Sequence, residues 1–176
     1  MNTVYKYFQI SQDGSVTNPP SLIHNSSIGV RNEPTEKANQ IFVKDMPNIE
    51  YTDFLERPFL LISNIFKKAV ELYNPNFEYK VVVLSEKNGG KQNVYWHIDL
   101  PNVPCFAESD RLSNSPVKAK IIDKSKILLS EVGGLSFFKF QEAAITNPVY
   151  IVRLDLAESI LRRGSIGFTL KGLAHV

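Results

Sequence analysis

The chain has a single cysteine, a single tryptophan and only three histidines, and no apolar run long enough to cross a bilayer. Cys105, being alone, excludes an internal disulfide, and cysteine usage this sparse fits a reducing compartment. His24, His97 and His175 form no H-x-x-x-H spacing, there is no C-x-x-C, and no run of aspartates resembles a calcium loop. No metal and no cofactor is therefore expected. The two glycine pairs, Gly89-Gly90 and Gly133-Gly134, match no phosphate-binding loop and read as turns. Charge of one sign is also missing: 20 basic residues face 18 acidic ones, for a net charge of +2. The densest basic region, Lys118 to Lys126, is interrupted by Asp123 and two isoleucines, whereas a nucleic-acid binder would show a concentrated stripe. The opening residues, MNTVYKYFQISQDG, lack the apolar core of a signal peptide and look like a strand. The expectation is a cytoplasmic protein with neither nucleic acid nor membrane as partner.

What is present is ordinary globular material. An apolar fraction of 43% and a charged fraction of 22% argue against disorder. At 176 residues the chain has the size of one domain, with residues 1–50 as an N-terminal strand and loop region. Folding at this length buries roughly 70% of the unfolded surface, enough for a core without a staple.

The clearest stretch is Glu78 to Leu100, EYKVVVLSEKNGGKQNVYWHIDL. It predicts two strands, Tyr79 to Leu84 and Val94 to Leu100, joined by a turn whose Asn-Gly-Gly core offers positive-φ positions. In the second strand Val94, Trp96, Ile98 and Leu100 alternate with Asn93, Tyr95, His97 and Asp99. The alternation predicts an apolar face turned to the core and a polar face turned outward. Ahead of the hairpin, Ile62, Ile65, Phe66, Ala69, Val70 and Tyr73 recur at helical spacing, predicting a helix over 64–73 with Ser63 as its N-cap.

Further strands are predicted at Val4 to Ile10, Gln40 to Lys44, Val117 to Ile122, Ser136 to Phe140, Val149 to Val152 and Phe168 to Leu173, with a short one at Ser27 to Val30. A second helix is predicted over 156–163, with Asp155 at its N-terminus, Arg162 and Arg163 at its end, and Gly164 as the left-handed residue after it. The fold class is α+β: an antiparallel sheet around the hairpin at about 78–100, with the two helices packed on one face.

Chemistry is harder to find. His97 and Asp99 share a strand face and Cys105 follows a proline-bounded turn, so a Cys-His-Asp nucleophile set is conceivable. The spacing speaks against it, because the partner that orients an imidazole usually comes from another element. No nucleophile or oxyanion motif surrounds Cys105, and catalysis is not expected. The bland alternative leaves His97 and Asp99 solvated and Cys105 a small buried apolar residue.

The order of elements carries a resemblance. PFLLISNIFKKAVELY leads into a hairpin ending VYWHIDLPNVPCFAES; a strand with IIDKSKI, the strand LSFFKF and the closing YIVRLDLAESILRRGSIGFTLKGL follow. Over about residues 57–173 this resembles immunity-protein family eleven of the bacterial polymorphic-toxin systems. The likeness lies in the helix entry, the hairpin leading to Cys105 and Ser109, the strand at Phe138-Lys139-Phe140 and the terminal Gly164 to Phe168 element. It implies a small α+β protein that binds a cognate toxin and blocks it without catalysis. An inhibitor of that kind needs exposed aromatic and charged anchors. The candidates are Tyr95, His97 and Asp99 on the outer hairpin face, and Glu108, Asp110 and Arg111 on the loop beyond. A small hydrolase or transferase using Cys105 and His97 is the alternative, as is a general protein- or ligand-binding domain.

Overall fold

The computed structural model describes residues 7–23, 34, 36–87, 89–106, 126–141 and 147–175. Among these, chain order runs β1 (Tyr7–Gln12), β2 (Ala38–Val43), β3 (Phe54–Leu55), β4 (Leu61–Ser63), α1 (Asn64–Tyr73), β5 (Tyr79–Glu86) and β6 (Gln92–Ile98). It continues with β7 (Lys126–Ile127), α2 (Leu129–Val132), β8 (Phe137–Phe140), β9 (Val149–Arg153), α3 (Leu154–Arg162) and β10 (Phe168–His175). The class is α+β, as expected. The expected strands at Ser27 to Val30 and Val117 to Ile122 lie outside the described residues. No helix among the described residues is long and apolar enough to cross a membrane.

The strands form two sheets rather than one, in two compact units. The first unit comprises Met1–Ser11, Leu100–Ser159 and Thr169–Val176, and the second Gln12–Asp99 and Ile160–Phe168. Each sheet is mixed, with a parallel pair at one edge, β7 with β10 and β2 with β5. Hydrophobic period identifies a strand but not its neighbour, which is why the sequence did not divide them.

In the first unit the sheet order is β7-β10-β1-β9-β8. Strand β9 is buried along Val149 to Val152, so its apolar run has no solvent face. Tyr7, Phe106, Ile127, Phe138, Phe140 and Ile151 fill the core, and the Tyr7 hydroxyl donates to the Leu135 carbonyl at 3.2 Å. Residues 101–106 serve both edges of this sheet. Asn102 bridges to Lys139 of β8, and Phe106 bridges to Ile127 of β7.

In the second unit the order is β2-β5-β6-β4-β3. The β5–β6 hairpin pairs Val82 with Tyr95 and Val83 with Val94. Its turn closes through Glu86 N–H to the Lys91 carbonyl at 3.2 Å, with Gly89 at φ 72°. Helix α1 begins as expected: the Ser63 hydroxyl accepts from the Phe66 amide at 3.3 Å. Phe66, Ala69 and Val70 are buried along one side of it. Phe66 meets the ring of Phe54 at 5.7 Å and that of Phe168 at 5.9 Å, which ties the helix to β3 and to the start of β10.

Candidate functional site

Strand pairing sorts the side chains of the second sheet onto two faces. One carries Ile41 and Val43, Val82 and Leu84, Tyr95 and His97, Leu61, and Leu55. Most of these join Leu22 and Phe59 in a buried cluster, with Ile49 and Tyr51 packed against it. The other face carries Gln40 and Phe42, Val81, Val83 and Ser85, and Gln92, Val94 and Trp96.

The hairpin is therefore covered on the side where the sequence predicted solvent. Tyr95 is 3% exposed and His97 4% exposed, which corrects the expectation that both stand on an outer contact surface. The reason lies in their shape, an apolar ring with a polar tip. The Tyr95 hydroxyl donates to the Thr52 carbonyl at 2.6 Å, and His97 Nδ1 lies 2.9 Å from the Leu60 carbonyl. The His97 ring also packs edge-on against Phe59, centroids 5.4 Å apart. The segment running through residues 52–60 thus supplies the acceptors that let two polar tips sit inside.

Asp99 is exposed, just past the end of β6. Glu108, Asp110 and Arg111 lie outside the described residues. Cys105 is fully buried in the core of the first unit and shows no surface to solvent, which a nucleophile needs. Among the described residues no three of His, Cys, Asp or Glu gather to hold a metal ion.

Burial of Tyr95 has a consequence for alkaline stability. Burial first, and then the Asp53 carboxylate, push its phenol well above the ordinary value near 10. A group whose pKa is raised by folding lends stability that is complete below its unfolded pKa and is lost as pH climbs past it. Urea midpoints should therefore fall as pH rises beyond about 10, and Tyr95→Phe should flatten that fall. Tyr79, raised by burial and then by Glu71, will leave a residual slope. At neutral pH, Tyr95→Phe leaves the Thr52 carbonyl buried without its donor, at a cost of about 1–3 kcal/mol.

The opposite face is where the surface opens. Helix α1 covers its β3–β4–β6 side, and the Lys67 ammonium lies 4.5 Å from the Tyr79 ring centroid and 4.4 Å from that of Trp96. The two rings stand nearly perpendicular, and Lys67 is ion-paired to Glu71 one turn along the helix. Beyond Trp96 the cover ends. Val94 is 52% exposed and Phe42 is 42% exposed, with Val83 half-buried between them. The sequence assigned Val94 to the core. Its strand was read correctly, but how far α1 reaches across the sheet is a matter of packing that periodicity does not carry. Phe42 was legible as the one bulky apolar residue on the polar side of ANQIFV.

The fold and this face define an α+β chain with an open apolar sheet surface. Compared with known proteins, the chain matches no family model and no curated relative.

Proposed function

We propose that this chain is a non-catalytic binding protein that neutralises a cognate toxin, in the manner of an immunity protein. The observation that carries the binding reading is the solvent-open sheet face of Phe42 and Val94, since exposed apolar side chains sharing one sheet face are the material of protein contacts. The choice of a toxin as partner rests on the resemblance over about residues 57–173. The rival that uses Cys105 and His97 has less support, because both side chains are buried.

Co-expression with a toxin encoded beside this chain tests the reading, scored by survival and co-purification. The expected result is rescue together with a stable complex, and Cys105→Ala should rescue as well as the natural chain. Absence of both rescue and complex removes the immunity reading. Rescue that vanishes with Cys105→Ala, in a variant that still folds, would favour the enzyme instead.

A further inference from the structure

We propose that the open face of the second sheet docks an acidic protein segment carrying a bulky apolar side chain; this rests on the binding reading above and names the chemistry of the partner. Phe42 pairs with Ser85 across β2 and β5, and Val83 pairs with Val94 across β5 and β6, so Phe42, Val83 and Val94 share one face as a floor crossed by the Gln40–Ser85 hydrogen bond at 3.1 Å. Lys44, whose N–H donates to the Ser21 carbonyl at 2.8 Å, keeps the alternation two residues after Phe42, and Lys87 opens the turn just past the end of β5. Both are exposed. Among the described residues neither has an ion-pair partner.

Glu86 is one residue out of phase, so it belongs to the other face, where its Oε1 accepts from the Tyr51 hydroxyl at 3.2 Å. At the far end of the floor the charge is already balanced, because Lys67 covers Trp96 and Tyr79 and is paired to Glu71. The surface thus joins exposed apolar side chains to two exposed lysines at one end and to the paired Lys67 and Glu71 at the other. A ligand that matches it places an apolar anchor over Val83 and Val94 and carboxylates toward Lys44 and Lys87. Nucleic acid would also meet lysines, but its bases stack on aromatic faces. Val83 and Val94 offer none, and Phe42 stands alone.

Random peptides displayed on phage and selected on the full chain test this directly. Enriched peptides should combine acidic residues with an aromatic or branched aliphatic anchor. Their affinity should fall by about tenfold or more in Lys44→Glu/Lys87→Glu, and by a similar factor or more in Phe42→Asp/Val94→Asp. Both variants alter exposed side chains, and unchanged far-UV circular dichroism will show that they fold. Enrichment without acidic bias, equal binding to either variant, or no enrichment at all overturns the proposal. Binding of a labelled single-stranded oligonucleotide that the same variants abolish would assign the face to nucleic acid and overturn it too. Toxin rescue that survives in both variants would leave immunity standing and refute this face. Acidic peptide binding without rescue would keep the face and remove the toxin.

Discussion

Replacing Phe66 by alanine is expected to lower the free energy of unfolding by about 3–5 kcal/mol, a large share of what a chain of this size possesses. The ring is completely buried and lies between Phe54 and Phe168, in edge-on contact with the second. Truncation leaves a cavity bounded by two other aromatic rings, which cannot collapse into it without leaving their own neighbours. It also removes the aromatic contact between α1 and β3. Ile65, its neighbour on the same helix, is 47% exposed, so Ile65→Ala should cost less than about 1 kcal/mol. Urea denaturation followed by circular dichroism measures both. Equal losses would mean that α1 is not held through Phe66.

The second large effect is Gly167→Ala, for which a loss of about 3 kcal/mol or more is expected. Two penalties coincide there. The backbone sits at φ +87°, and a Cβ built on it would lie 2.1 Å from the Thr52 Cβ. Thr52 is buried and its carbonyl holds the Tyr95 hydroxyl, so it has little freedom to retreat. Next to it, Asp53 and Ile166 exchange two hydrogen bonds, Asp53 N–H to the Ile166 carbonyl at 3.0 Å and Ile166 N–H to the Asp53 carboxylate at 2.7 Å. Any shift that makes room for a methyl group strains both. Gly164 isolates the first penalty: its φ is +70°, but nothing lies within 4 Å of the added carbon. Gly164→Ala should cost only about 1–2 kcal/mol. Similar losses at the two sites would show that the close approach to Thr52 contributes nothing.

These two residues also mark the limit of what could be read in the chain. Helix α1, its Ser63 cap, the β5–β6 hairpin and the left-handed Gly164 all follow from local rules, and all are found where those rules put them. Nothing local in the sequence singles out Gly167, because its constraint is a chain segment more than a hundred positions away. Tyr95 and His97 escape the local rules for a related reason. Alternation separates them correctly from Val94 and Trp96, but a polar tip implies solvent only where no buried acceptor exists, and the carbonyls of Thr52 and Leu60 supply one for each. The candidate surface was half legible. Phe42 stands out once β2 is recognised, whereas bringing it beside Val83 and Val94 needs the parallel register of β2 with β5. Parallel pairing leaves no short turn in the sequence to announce it.

The ammonium resting on Trp96 gives the chain a private optical signal. Trp96 is the only tryptophan, and it belongs to the second unit. Its fluorescence therefore follows that unit alone, and withdrawal of Lys67 from its ring should change the emission as soon as α1 leaves the sheet. Circular dichroism sees both units together. Superimposed melting curves from the two probes would mean one cooperative transition, and displaced curves would mean that one sheet can come apart while the other persists.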